Sequence, residues 1–205
     1  MELIEKYFPE ISKEQHKKFQ LLSENYAYWN EKINVISRKD MVNFYERHVL
    51  YSLAIHKLVS FKNGSRIIDI GTGGGFPGLP LAILCPESQF VLLDSIGKKL
   101  KVINEVSKEL EINNITTVHS RAEQLNSQFD YIISRAVTSL PKFVKITKHL
   151  IKRNKQVSNN GIYYLKGGDI SSEIKELNMT VHTYDLKDLF NEDFFSTKKI
   201  VHIPY

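Results

Sequence analysis

The sequence predicts an α/β fold in which a mostly parallel sheet carries helices on both faces and is preceded by a helical extension. Strand-like runs alternate with helix-like runs from Ser65 onward, and such alternation gives right-handed crossovers and a parallel sheet. Before Ser65, apolar residues recur only at helical spacing. Five glycines between Gly71 and Gly78 follow the first strand and open a helix, where an open α/β sheet binds its ligands.

Residues 1–63 are predicted to form the helical extension, packed on a core domain of residues 64–205. A capping-box pattern from Ser12 to Gln15 marks the start of one long helix. A second amphipathic segment follows Asp40, and its apolar face is made by Met41, Tyr45, Val49 and Leu53.

The core domain is predicted to supply seven strands. Five strand-like runs lie at 66–70, 90–94, 116–120, 130–134 and 162–166. Helix-like runs lie at 78–84, 97–110 and 141–153, with a weaker one at 171–177. A polar loop at 153–161 precedes the fifth strand. The tail reads as two more strands with no helix between them, which suggests one antiparallel strand at the end of the sheet.

Composition narrows the class of protein. Hydrophobic residues at 42% and charged residues at 25% are ordinary for a globular chain. The first residues lack the features of a signal peptide, and no apolar run reaches the ~18 residues of a membrane span, so a cytoplasmic protein is expected. Seven histidines without ligand spacing predict no metal site. The single cysteine, Cys85, lies in the apolar run "LAILCP" and is interpreted as a core residue rather than a nucleophile.

The charge distribution suggests a polyanionic partner. The chain has a net charge of +5, and eight Lys or Arg but no acidic residue lie between Asp130 and Asp169. A local field of one sign attracts polyanions, although an ordinary solvated basic helix would show the same pattern.

The glycine loop fits two classes of cofactor. The register Gly73-x-Gly75-x-x-Gly78 matches a dinucleotide loop, but it begins late, after the strand has ended. The register Gly71-x-Gly73-x-Gly75 begins directly after the strand and favours Gly71 and Gly73 as cofactor-binding positions. An acid just before the loop, here Asp69, is typical of methyltransferases that use S-adenosylmethionine, because a carboxylate suits a cationic sulfonium.

Two further positions bear on this choice. Asp94 ends the second strand, where an acid suits the ribose hydroxyls of either cofactor and does not discriminate. After the fourth strand, enzymes that methylate exocyclic amines carry an Asn/Asp-Pro-Pro-aromatic motif, but this chain reads "SRAV" from Ser134 to Val137. Methylation of an exocyclic amine is therefore not indicated.

Several segments resemble the bacterial ribosomal RNA small-subunit methyltransferase G family, also called glucose-inhibited division protein B. The resemblance runs in order through residues 20–170, and its most specific segments are "GGFPG" (74–78), "LLDSIGKK" (92–99) and "SRAV" (134–137). It implies a Rossmann-like methyltransferase fold, S-adenosylmethionine as cofactor, and methyl transfer to N7 of an unpaired guanine in 16S ribosomal RNA. Guanine N7 has a free lone pair, so no catalytic base is required.

The resemblance also implies roles for individual residues. Gly71 and Phe76 would line the methionine end of the cofactor, and Asp94 would hold the ribose. Ala122 and Glu123 would frame the adenine, and Arg135 would lie in the cofactor site on the side that faces the substrate. The family usually has an acid where this chain has Tyr51, so any role of that acid is absent here.

The expected partner is 16S ribosomal RNA or an assembling small subunit, bound by a monomer without membrane contact. The residues expected to bind RNA are Arg47 and His48 of the extension and a basic helical stripe of Lys142, Lys145, Lys148 and Lys152. Two alternatives stay open at this point: a methyltransferase of another substrate, and a nicotinamide-dependent oxidoreductase.

Overall fold

The computed structural model describes residues 1–152 and 159–205, which form one seven-stranded sheet covered by helices. This confirms the predicted fold class. The strands are β1 (Arg66–Ile70), β2 (Gln89–Asp94), β3 (Ile115–His119), β4 (Tyr131–Arg135), β5 (Gly161–Gly167), β6 (His182–Asp185) and β7 (Lys198–Pro204). The polar loop predicted at 153–161 lies largely outside the described residues.

The strand order is β3-β2-β1-β4-β5-β7-β6. Strands β1 to β5 pair in parallel, whereas β7 lies antiparallel between β5 and β6. The tail thus supplies the single antiparallel strand among the described residues, as its sequence suggested. The order reverses between β1 and β4, and ligands of open α/β sheets bind at such a switch point, outside the carboxyl ends of the strands.

The helices around the sheet are short except for two. They are α1 (Glu2–Tyr7), α2 (Lys13–Lys32), α3 (Arg38–Met41), α4 (Tyr51–Leu58), α5 (Gly78–Leu84), α6 (Gly97–Glu109), α7 (Leu140–Thr147) and α8 (Ser171–Glu176). The capping box at the start of α2 is formed, because the Ser12 hydroxyl accepts from the Gln15 amide and the Gln15 side chain accepts from the Ser12 amide. No helix within the described residues is long and apolar enough to cross a membrane.

Apolar cores form on both faces of the sheet, because successive strand side chains point to opposite sides. On β1, Ile67 belongs to the core that the extension shares with α5 and α6, whereas Ile68 belongs to the core under α7 and α8. The boundary predicted at residue 63 falls between α4 and β1. The division into two domains stays a prediction, and the extension and one sheet face have a common core.

The second amphipathic segment of the extension contains a π-helix, Tyr45–Leu50, which runs directly into α4. Its predicted apolar face is buried or partly buried against the core, at Met41, Tyr45, Val49 and Leu53. The wider turn was not predicted, since its residues have no sequence signature. π-helical turns occur often at functional sites, and this one carries Arg47 and His48.

One predicted helix is shorter in the structure. The helix expected over 141–153 ends at Thr147, whose hydroxyl donates to the Phe143 carbonyl 2.8 Å away. The chain then makes one 3₁₀ turn, Lys148–Leu150, and Ile151 forms a parallel bridge with Phe129. The prediction was wrong beyond Thr147 because the buried bridge draws the chain back to the sheet, and residue 153 lies outside the described part.

Candidate functional site

The glycine loop between β1 and α5 has the conformation that its composition predicts. Gly71, Gly73 and Gly75 have φ of +66°, +59° and +97°, a region that side chains disfavour. A Cβ on Gly71 would lie 2.6 Å from Val137 Cγ2, so the chain after β4 packs directly on the loop. A Cβ on Gly73 would meet nothing within 4 Å, so Gly73 borders open space.

Asp69 lies beneath this loop rather than in front of it. Its carboxylate is fully buried, and Oδ2 accepts from the Thr72 hydroxyl at 2.6 Å and from the Gly78 amide at 2.8 Å. A Cβ on Gly78 would lie 2.9 Å from Oδ2, which explains why a glycine begins α5. Burial raises the pKa of Asp69 to about 7. The acid therefore shapes the loop by accepting from the Thr72 hydroxyl and the Gly78 amide.

Asp94 connects β2 to the same loop. Its carboxylate is 6% exposed and accepts from the Gly73 amide and from the Ile96 amide, both at 2.9 Å. An acid that carries these two bonds is held rigidly at the carboxyl edge of the sheet. Each carboxylate oxygen has a second lone pair, so Asp94 can still accept from a ribose hydroxyl.

A cavity of about 430 Å³ opens at this edge and is called the cofactor cavity here. Five of the seven residues predicted to bind the cofactor line it: Gly71, Asp94, Ala122, Glu123 and Arg135. Gly73 does not line the cavity, but its amide donates a hydrogen bond to Asp94, which does. The carboxylate of Asp94, the open space at Gly73 and the apolar walls supplied by Leu93 and Ile96 fit an adenosine cofactor.

Phe76 is placed differently from the other predicted cofactor residues. Its ring is 3% exposed and does not line the cofactor cavity. It packs against Tyr26, Phe44 and His48 of the extension, with ring centroids 5.1, 5.9 and 5.0 Å away. The Tyr26 hydroxyl donates to the Gly74 carbonyl beside it. The extension therefore packs on the glycine loop through this aromatic cluster. The contact of Phe76 with the cofactor stays a prediction.

Arg135, at the end of β4, lies between the extension and the cofactor cavity. Its guanidinium donates to the Arg47 carbonyl at 3.0 Å and to His48 Nδ1 at 3.1 Å. The Cζ atom of Arg135 lies 5.5 Å from the Phe76 ring centroid and 5.8 Å from the Tyr51 ring centroid. No carboxylate among the described residues forms an ion pair with it. Burial lowers the pKa of Arg135, and an anionic group nearby would relieve that cost.

A second cavity of about 530 Å³ adjoins the first and is called the outer cavity. The two share Arg135, Ala136 and Val137. Ala136 has φ of +54°, a strained conformation of the kind found at functional sites. The other residues that line the outer cavity are Asp40, Arg47, His48, Tyr51, Thr138, Leu165, Lys166, Gly167, Phe194 and Lys198.

The structure brings Arg47 and His48 of the predicted RNA-binding set into this outer cavity. Arg47 forms an ion pair with Asp40 at 2.8 Å. His48 is 9% exposed and accepts from Arg135 through Nδ1, so its proton is carried by Nε2. Burial and the nearby Arg135 lower the pKa of His48 to about 3, which keeps the ring neutral.

The four predicted lysines do not form one helical stripe. Lys142 and Lys145 are exposed on α7, and Lys148 is exposed on the following 3₁₀ turn. Lys152 lies beyond both and approaches Asp130, 3.8 Å away, at the amino edge of the sheet. The single stripe was wrong because the helix ends at Thr147. Three lysines lie along one side of the molecule, and Lys152 lies at the edge opposite the cavities.

Several residues of the outer cavity were missed in the sequence. Lys166, Phe194 and Lys198 come from β5, from the 3₁₀ turn Asp193–Thr197 and from the start of β7. Only the antiparallel insertion of β7 beside β5 brings them together, and the tail offered no motif for it. Cys85, by contrast, behaves as expected for a core residue, since burial raises the pKa of its thiol to about 12.

Two solved structures share this fold. The chain superposes on a SAM dependent methyltransferase from Aquifex aeolicus with a TM-score of 0.60 at 12% identity, covering 83% of this chain and 100% of that one. It also superposes on a fibrillarin/Nop5p complex structure with a TM-score of 0.57 at 12% identity, covering 76% and 79% of the two chains. The fold is thus one that a SAM dependent methyltransferase also has, and the cofactor cavity at the carboxyl edge of its sheet fits an adenosine cofactor.

Sequence relatives identify the family to which the chain belongs. Residues 15–201 match the family described as rRNA small subunit methyltransferase G. The chain is 54% identical to the ribosomal RNA small subunit methyltransferase G of Cytophaga hutchinsonii over 205 residues, which cover 100% of this chain and 99% of the relative. It is 50% identical to that of Flavobacterium johnsoniae, with 100% and 98% covered. The chain belongs to the rRNA small subunit methyltransferase G family.

Proposed function

We propose that this enzyme transfers the methyl group of S-adenosylmethionine to N7 of one unpaired guanine in 16S ribosomal RNA. The cofactor would bind in the cofactor cavity, with its ribose at Asp94 and its adenine between Ala122 and Glu123. The bound cofactor supplies an electrophilic methyl on a sulfonium. The target guanine would enter the outer cavity, which meets the cofactor cavity at Arg135, Ala136 and Val137.

The target must leave the base stack to enter this cavity. N7 lies on the Hoogsteen edge of guanine, and stacked duplex keeps that edge away from an enclosed pocket. Enzymes that modify a base act on unpaired or extruded nucleotides for this reason. The cationic side chains of the outer cavity, and the exposed Lys142, Lys145 and Lys148 of α7 and the turn after it, would attract the surrounding RNA backbone.

The choice of N7 is supported by the lack of a well-matched general base among Asp40, His48 and Tyr51, which line the outer cavity. Hydrogen bonds from Ser37 and Arg47 hold the pKa of Asp40 below its ordinary value. His48 has a pKa of about 3, and burial raises the pKa of Tyr51, so that its phenol stays protonated. An efficient general base has a pKa near the working pH. Guanine N7 needs no deprotonation, whereas N1 carries a proton that must leave.

The enzyme's own part in the reaction would then be positioning. Holding the sulfonium methyl and N7 in line supplies up to roughly 7–11 kcal/mol of the barrier. The glycine loop would hold the cofactor. The strained chain at Ala136 lies where the cofactor cavity meets the outer cavity. Val137 and Leu165 supply apolar lining to the outer cavity.

A product and rate measurement tests the proposal. The protein is incubated with labelled S-adenosylmethionine and 16S ribosomal RNA, or small subunits, from a strain that lacks the enzyme. We expect 7-methylguanosine at one position by mass spectrometry. We also expect a single-turnover rate that is nearly constant from about pH 6 to 9, because no proton is removed by the enzyme. A 1-methylguanosine product, or a rate that rises about tenfold per pH unit, contradicts the proposal.

A further inference from the structure

The cations of the outer cavity differ in whether a carboxylate neutralises them. Arg47 is paired with Asp40 at 2.8 Å, and Lys166 is paired with Glu173 at 2.8 Å. Arg135 and Lys198 have no ion-pair partner among the described residues. Arg135 instead donates to a carbonyl and a histidine ring nitrogen. The outer cavity therefore contains two uncompensated positive charges on different strands of the sheet.

Lys198 is held at the cavity wall by its surroundings. It is the first residue of β7, and it pairs in register with Gly167 at the end of β5. Its Nζ lies 4.9 Å from the Phe194 ring centroid. A Cβ on Gly167 would lie 3.2 Å from Nζ, so the glycine makes room for the ammonium. A cation over one aromatic ring is only weakly stabilised at an exposed site, so the Lys198 ammonium can still bind an anion.

The two charges have different positions relative to the reaction. Arg135 lines both cavities and thus lies where the methyl group must pass, whereas Lys198 lines only the outer cavity. An unpaired nucleotide has one neutral part, the base, and one anionic part, the phosphate. The rings of Tyr51 and Phe194 offer apolar contact to the base. The ammonium of Lys198, which forms no ion pair among the described residues, can bind a phosphate as a point charge.

We propose that Lys198 binds the backbone phosphate of the target nucleotide and so helps to hold that nucleotide in the outer cavity. This inference rests on the proposed function and adds a residue that belongs to no motif of the sequence. Lys198 acts before the chemical step, so it is an RNA-binding residue. Its loss should weaken RNA binding and leave both cofactor affinity and the rate at saturating RNA unchanged.

The neighbouring lysine provides a matched control. Lys199 points to the other face of the sheet, forms an ion pair with Asp185 and does not line the outer cavity. The test compares Lys198→Gln with Lys199→Gln in methylation of 16S ribosomal RNA from a strain that lacks the enzyme. We expect KM for RNA to rise about tenfold in Lys198→Gln alone, as for the loss of one charge-assisted contact, with kcat unchanged.

Salt dependence distinguishes a phosphate contact from a structural role. The slope of log KM for RNA against log salt concentration should become shallower by about 0.7 in Lys198→Gln, the value for one phosphate of a single strand. Lys198→Arg keeps the charge and should restore most of the affinity. S-adenosylhomocysteine binding and thermal unfolding, measured on each variant, establish that the fold and the cofactor cavity are intact.

The outcomes separate this inference from the proposed function. If the unaltered enzyme makes no 7-methylguanosine, the proposed function fails. If it does, and Lys198→Gln has the same KM and salt slope as Lys199→Gln, the inference is overturned. A loss of kcat without a change in KM would also overturn it, because Lys198 would then act on the chemical step. If Lys198→Gln unfolds, Lys198→Arg decides, since an altered salt slope in that folded variant contradicts a contact made by charge alone.

Discussion

Tyr26→Phe tests whether the helical extension sets the geometry of the cofactor loop. Tyr26 is fully buried on α2, and its hydroxyl donates to the carbonyl of Gly74, which is also buried. Burial raises the pKa of Tyr26, so the hydroxyl stays protonated and remains a donor. The substitution keeps the ring and its packing on Phe76 but removes the bond that ties the extension to the loop.

The size of the effect follows from the burial of the carbonyl. A buried acceptor that loses its donor costs about 1–3 kcal/mol. Part of this cost is avoided if the loop shifts, and a shifted loop no longer presents Gly71 and Gly73 in their positive-φ conformations. We expect Tyr26→Phe to unfold more easily by about 1–2 kcal/mol, and its affinity for S-adenosylhomocysteine to fall roughly 5- to 30-fold.

Tyr45→Phe is the matched control for this experiment. The Tyr45 hydroxyl donates to the carbonyls of Phe19 and Gln20 at 3.0 and 3.1 Å, on α2 and away from the loop. It should lose stability without losing cofactor affinity. The measurements are urea unfolding and isothermal titration calorimetry with S-adenosylhomocysteine. Equal affinities for Tyr26→Phe and the unaltered protein would refute the reasoning, as would an equal loss of affinity in both variants.

Four further predictions test the site. Gly73→Val should abolish S-adenosylhomocysteine binding in a folded protein, because a branched side chain resists φ of +59° and fills open space; calorimetry and circular dichroism check this. Asp94→Ala should weaken the cofactor by about 1.5–3 kcal/mol in the same titration and leave RNA affinity unchanged, whereas a loss of RNA affinity would mean that the site is misassigned. Asp69 has a pKa of about 7 in the folded protein against an ordinary value of 3.8, so its stabilising contribution is full below pH 3.8 and is lost as pH rises through 7. The unaltered protein should lose on the order of 4 kcal/mol relative to Asp69→Asn between these limits in urea unfolding, and a constant difference would contradict this. Replacing Lys142, Lys145 and Lys148 by Gln should flatten the log–log salt slope of RNA binding by about 2, whereas Lys152→Gln, at the opposite edge, should not change it.

The first five strands of the sheet could be predicted from the sequence to within a residue or two. β1 was placed at its observed limits, Arg66 to Ile70, because an aliphatic run ended at a glycine. The end of α7 could not be predicted in the same way. Nothing near Thr147 breaks a helix, and the chain leaves helical geometry only because Ile151 bridges to Phe129, a contact between residues that are distant in sequence.

The cofactor side of the site was more predictable than the substrate side. Gly71 and Asp94 follow directly from local rules for loops after parallel strands, and both line the cofactor cavity. The walls of the outer cavity come instead from β4, β5, β7 and the π-helix, whose proximity depends on the strand order. Lys198 carries no local signal at all, because its position depends on the pairing of β7 with β5.

The boundary between the two cavities, formed by Arg135 and its neighbours, has a consequence for turnover. In the proposed reaction a positive charge crosses this boundary together with the methyl group. The sulfonium becomes a neutral thioether in the cofactor cavity, and the guanine becomes a cation in the outer cavity. That cation then shares its compartment with Arg135 and Lys198, which form no ion pair among the described residues. Like charges repel, and they repel most strongly where little water screens them. The arrangement that attracts the anionic substrate thus also favours release of the methylated base.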